Sequence, residues 1–199
     1  MSTRDDILST IRARRAKRVA APPVYCAPTP ANLVEAFAEG ARRANAEVRF
    51  IDSEAEAPQA IAELLRDRNL PAIVHVPPNA SALPWASAPG LTLEHSAPGP
   101  DDASVAVAPF GIAETGTLAY LSRADSPPPW HFRAGFEIAV VRAETILPRM
   151  EDVLARVKTK GLPSTLNFVT GPSRTGDIEQ TLELGAHGPK ALAILIVRR

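Results

Sequence analysis

Two stretches of this chain combine residue types that could do chemistry. In 105–122, Glu114 stands among small and apolar residues and is followed by Thr115, Gly116 and Thr117. Such a carboxylate could act as a general base, or as a nucleophile that carries an acyl group. Alternation places Thr115, Thr117 and Ala119 on one face of an expected strand and Glu114, Gly116 and Leu118 on the other. Gly116 removes a side chain where a ligand or another backbone would come close. A structural alternative is that Glu114 only accepts hydrogen bonds from backbone N–H groups at a bulge.

The second stretch, 167–197, reads as strand, polar turn, short helix, turn and buried strand, a βαβ crossover. Gly171 permits close approach, while Ser173, Arg174 and Thr175 bring hydroxyls and a guanidinium to the expected start of a helix over 177–184. That grouping suits a carboxylate or phosphate. Asp177 and Glu179 oppose it, since they would occupy the first helical turn, and the alternative is that Ser173 or Thr175 only caps a helix. No Gly-Lys-Ser/Thr follows at the spacing of a nucleotide-binding loop. The expectation is one cleft, formed where 111–117 and 171–175 meet at adjacent strand ends. Its candidate ligand-binding residues are Gly111, Thr115, Gly116, Thr117, Gly171, Ser173, Arg174, Thr175, Asp177, His187 and Gly188. Glu114 is the catalytic candidate.

The surrounding pattern predicts the scaffold. Leu33, Val34, Phe37 and Ala41 recur at helical spacing, as do Ile61, Leu64 and Leu65. Short apolar runs at 48–51, 72–76, 91–94, 105–108, 137–141 and 191–197 read as strands, and a helix is expected over 147–158. Helix alternating with strand argues for an α/β domain with a mainly parallel, Rossmann-like sheet and flanking helices. It is expected to fill 21–199. A basic amphipathic helix over 1–20 precedes it, with Ile7, Leu8 and Ile11 as its stripe. Trp130 and His131 sit at the tip of a proline-rich loop over 126–133.

Composition narrows the classes. With 199 residues, 22 Lys+Arg and 22 Asp+Glu, the chain has no bulk charge that argues for nucleic acid or a membrane surface. Its one cysteine, Cys26, is too few for a disulfide framework, a cysteine-only zinc site or an iron–sulfur cluster. No run approaches a membrane span and the first residues lack a signal peptide's apolar core, so the expected location is cytoplasmic.

Together the motifs resemble the lactate-utilisation protein C family, the LUD-domain proteins. The resemblance rests on Ala113-Glu114-Thr115-Gly116-Thr117-Leu118, on Thr170 to Glu179, on Gly185-Ala186-His187-Gly188-Pro189 and on Leu83-Pro84-Trp85. Where the family has Pro-x-x-His-Ile, this chain has Ala134 and Glu137. The resemblance implies a fold similar to that of the sugar-phosphate isomerases and CoA transferases. It also implies a part in oxidising L-lactate to pyruvate beside two iron–sulfur proteins, with this chain as a non-redox subunit or accessory that binds a small anion. The alternative it implies is an independent enzyme using Glu114 for acyl or proton transfer.

Overall fold

The computed structural model describes residues 3–13, 28–159, 161–175, 183–184 and 188–198. Its centre is a six-stranded, all-parallel sheet made of β1 (Glu47–Ile51), β2 (Ile73–His75), β3 (Thr92–Glu94), β4 (Ala103–Ala108), β7 (Phe136–Arg142) and β12 (Ala191–Val197). The order across the sheet is β1-β12-β7-β4-β2-β3. The last strand therefore lies inside the sheet, between the first strand and β7. Its sequence explains the position. In Ala191–Val197 successive side chains face opposite sides, and all but the first residue are buried. Ala193, Leu195 and Val197 meet one core, while Leu192, Ile194 and Ile196 meet the other. Only a strand covered on both faces needs such a run.

Helix α3 (Ala57–Asp67) covers the first face with Ile61, Leu64 and Leu65, all buried. Helix α2 (Leu33–Arg43) covers part of the second with Phe37, Ala38 and Ala41. Its start is fixed by Asn32, whose Oδ1 accepts from Val34 N at 3.1 Å and Glu35 N at 3.2 Å. The rest of the second face is covered by a smaller sheet. That sheet comprises β5 (Phe110–Ile112), β6 (Thr117–Leu121), β8 (Ile146–Leu147) and β9 (Leu166–Val169), in the order β8-β5-β6-β9. Leu118 and Tyr120 of β6 face the central sheet. Ala119 faces outward, towards Val153 and Val157 of α5 (Met150–Thr159).

Two elements of the sequence reading need correction. Residues 166–169 do not open a βαβ crossover, because β9 pairs antiparallel with β6 in the small sheet while β12 belongs to the large one. A four-residue apolar run has the same pattern in either kind of sheet. The helix expected over 177–184 is also wrong at its end. Glu183–Leu184 form β11, paired antiparallel with β10 (Arg174–Thr175), and 177–182 lie outside the described residues.

The N-terminal helix α1 (Thr3–Ala13) buries no residue, and Ile7 and Ile11 are 55% and 60% exposed. Residues 14–20 of the expected basic arm lie outside the described residues. No helix among the described residues is long and apolar enough to cross a membrane.

Candidate functional site

Glu114 is not in a strand. Residues 113–116 form the turn between β5 and β6, closed by Gly116 N donating to Ile112 O at 2.9 Å. Gly116 has φ +69°, a conformation that breaks the strand and that glycine adopts readily. Glu114 and Thr115 are exposed at this turn. The Glu114 amide donates to Pro148 O at 3.1 Å. Its carboxylate faces water, so the turn itself provides no water-excluded setting for an acyl intermediate.

The two motif stretches lie side by side. Leu118 of β6 pairs with Val169 of β9, and Thr117 Oγ1 lies 2.6 Å from Thr170 Oγ1 and 2.7 Å from Thr115 Oγ1. Both stretches abut the C-terminal turn of α2. A Cβ on Gly116 would overlap Ala41 N, and one on Gly171, at φ +76°, would overlap Ala44 O. The backbone that approaches these two glycines is therefore that of α2. Gly111 is buried in β5, where a Cβ would meet Ile146 and Phe37 at 3.1 Å. Ser173 N donates to Pro189 O at 2.8 Å, which brings Gly188 against Ser173. Arg174 is exposed in β10, and Thr175 pairs with Glu183 in the same ribbon. Asp177 and His187 lie outside the described residues.

A second constellation, missed from the sequence, lies under the small sheet. Glu137 of β7 is fully buried, and its Oε1 accepts from Tyr120 Oη at 2.8 Å. His131 lies on a short helix, α4 (Pro129–Phe132), and its ring stacks on Tyr120 at 3.9 Å with 17° between the planes. His131 Nδ1 is 3.6 Å from Glu137 Oε1, and Nε2 is 3.2 Å from Ser126 Oγ. Ser104 anchors α4 by donating to Trp130 O at 3.0 Å. A signal for this cluster was present in 136–141, an otherwise apolar run holding one carboxylate. A carboxylate in a strand covered on both faces requires a buried partner.

Burial, reinforced by the charge and hydrogen bond of Glu137, pushes the Tyr120 hydroxyl well above its usual 10.0. The fold thus favours the protonated phenol. This stabilisation is complete below about pH 10, and it is lost as pH rises through the elevated value. Alkaline titration is expected to unfold the protein as Tyr120 ionises, with tyrosinate absorbance and loss of circular dichroism moving together. In Tyr120→Phe that coupling should disappear. Ionisation of Tyr120 in a folded chain would contradict the expectation.

Ser126 also lines a cavity of about 410 Å³ beyond the carboxyl ends of β4 and β7. In open parallel sheets this is the edge at which ligands bind. Val107 and Ala108 form its floor, and Arg123, Arg142 and Arg156 its cationic wall. Arg142 is paired with Glu54 at 2.7 Å, a hydrogen bond that holds it still further towards its charged form. Arg123 is paired with Asp125 at 3.0 Å. Among the described residues Arg156 forms no ion pair, so the wall keeps an excess positive charge. Asn79 donates from Nδ2 to Val107 O at 3.3 Å, and its Oδ1 is buried without a protein partner among the described residues.

A larger hollow of about 590 Å³ lies beside α3, but its walls are mostly apolar, with Arg66 the charged member. It offers less to an anion. Among the described residues no three His, Cys, Asp or Glu side chains gather as metal ligands.

Comparison with known proteins agrees with the motifs. The family model "LUD domain" matches residues 101–197. A "Lactate utilization protein C" from Geobacillus kaustophilus is 38% identical over 98 residues, covering 47% of this chain and 41% of that protein. One from Bacillus subtilis is 35% identical over 91 residues, covering 43% and 38%. The matched part thus spans less than half the length of these curated relatives. A crystal structure of a DUF162 family protein from Deinococcus radiodurans shares the fold, with a TM-score of 0.63 and 24% identity. It covers 85% of this chain and 99% of that one. Residues 101–197 are thus similar to the LUD domain, the family that the motifs around Glu114 and Gly171 resemble.

Proposed function

We propose that the protein takes part in lactate utilisation as a non-redox component, binding a small 2-hydroxy or 2-keto carboxylate in the cavity beyond β4 and β7. The observation that carries this reading is the wall of three arginines around a cavity large enough for such an acid. Guanidinium groups pair with carboxylates in a fixed, two-pronged geometry. The names of the relatives supply the metabolic setting, and partnership with two iron–sulfur proteins and a cytoplasmic location follow from the same reading.

This places the anion at Arg123, Arg142 and Arg156 instead of at Arg174. Calorimetric titration with L-lactate and pyruvate, and with lactamide as the uncharged control, tests it. Binding is expected for the acids and not for the amide. The double variant Arg123→Gln/Arg156→Gln should weaken binding by about 1.5–3 kcal/mol for each charged hydrogen bond lost. Arg174→Gln should leave it unchanged. Equal affinities for acid and amide, or a loss confined to Arg174→Gln, would sink the assignment. At the level of the cell, loss of growth on lactate after deletion, with co-purification of iron–sulfur proteins, is the expected companion result.

A further inference from the structure

We propose that Ser126 is a nucleophile, with His131 as its general base and Glu137 as a positioning residue, acting on an ester or thioester of a small carboxylate-bearing acid in the arginine-walled cavity. The substrate class rests on the anion-binding reading above. The nucleophile rests on a separate observation, the geometry of the buried cluster.

Ser126, His131 and Glu137 are only 4%, 1% and 0% exposed, yet their polar atoms form a directed chain. Ser126 Oγ meets Nε2 of the imidazole, and Nδ1 on the opposite side of the ring faces Glu137 Oε1. A hydroxyl, an imidazole and a carboxylate in that order form the arrangement by which a base activates a weak nucleophile and a third group orients the base. The 3.6 Å separation of Nδ1 and Oε1 is longer than a hydrogen bond, and ligand-free sites commonly tighten on binding.

The imidazole has little freedom to turn. Tyr120 stacks on one face of it, and Phe132 meets it edge-on at 6.4 Å. His131 N donates to Pro128 O at 2.9 Å. The consecutive prolines 127–129 stiffen the link from Ser126 to α4. Ser126 itself is clasped to Arg123 by two backbone hydrogen bonds, at 3.1 and 3.4 Å. Burying so many polar groups costs stability that an apolar core would not. Such a cost is expected where residues are held for chemistry. The one member of the chain that lines the cavity is Ser126, which gives the relay its route to a substrate.

The reaction balances with water as the only co-reactant. Ser126 Oγ bonds to the carbonyl carbon as its proton passes to His131 Nε2. The tetrahedral intermediate expels the alcohol or thiol, which takes that proton from the imidazole. Water, deprotonated by the same nitrogen, then attacks the acyl-serine, and collapse releases the acid and restores the Ser126 hydroxyl. Pro127 has no N–H to offer the developing oxyanion, so the guanidinium groups of the cavity wall are the donors at hand.

The test is incubation of the full chain with a small fluorophosphonate, followed by intact-mass and peptide mass spectrometry. Wild type should gain one phosphonyl group on Ser126 with loss of fluoride, and Ser126→Ala should gain none. His131→Gln should slow labelling by about 100-fold or more. Glu137→Gln, compared at equal circular dichroism, should slow it and move the pH profile of the labelling rate, which a merely structural role would not do. If His131→Gln does not fold, the label's position and its pH profile in wild type still decide. Wild type that binds carboxylates but takes no label on Ser126 would overturn the nucleophile and leave the anion site standing. A labelled Ser126 in a protein that binds no carboxylate would keep the nucleophile and overturn the substrate class.

Discussion

Gly116→Ala is expected to cost the protein more than about 4 kcal/mol, a loss reached only by a few mechanisms. Part of it is local, since an L-residue held near φ +69° is strained by about 1–2 kcal/mol. The larger part is steric. The new methyl would occupy the position of Ala41 N and Gly40 C, atoms of the α2 backbone that cannot swing aside as a side chain could. Relief requires α2 to lift from β6, which parts Phe37 and Ala41 from Leu118 and Tyr120 in the second core. Gly171→Ala should behave alike, because its Cβ would meet Ala44 O.

Gly161 supplies an internal control. It too has positive φ, at +89°, but no atom of the described residues stands within 4 Å of its Cβ position. Gly161→Ala should therefore lose only the conformational part. Urea unfolding of the three variants separates the two effects. Equal losses for Gly116→Ala and Gly161→Ala would show that the α2 contact is not what the motif glycine serves.

Glu137→Leu is expected to destabilise the fold by about 1–3 kcal/mol, the usual result of removing one partner of a buried hydrogen bond and leaving the other unsatisfied. The leucine fills the space but leaves the Tyr120 hydroxyl without its acceptor and His131 facing apolar carbon. The companion Tyr120→Phe/Glu137→Leu removes both ends of the hydrogen bond. Its loss should fall short of the sum of the single losses by about 0.5–3 kcal/mol. Additive losses in denaturant melts would mean that the two side chains do not share this bond.

Much of the architecture was legible from local pattern alone. The unbroken run in 191–197 declared a doubly covered strand, and α2 and α3 followed from stripes such as Leu33, Phe37 and Ala41 or Ile61, Leu64 and Leu65. Gly116 was readable as a point of close approach, because a glycine inside an expected strand leaves out the side chain that would otherwise stand there. These signals are carried by neighbours within a turn or a pleat, so sequence contains them directly.

Only the tertiary structure decided what those elements meet. The run at 166–169 could pair in either sheet, and packing of its half-buried faces beneath α2 and α5 placed it beside β6. The backbone approaching Gly116 could not be identified as that of α2, since Ala41 lies so far away in the chain. Nor could Tyr120, Ser126, His131 and Glu137 be recognised as one cluster. Their partnership arises because the small sheet, α4 and β7 press together, and each polar group then has no water to turn to. Arg123 follows β6, Arg142 ends β7 and Arg156 lies on α5, so they line one cavity only once these elements pack together. Periodicity reports which side of an element is buried, while the identity of its neighbour depends on contacts distant in sequence, and the chemistry of this chain lies in those contacts.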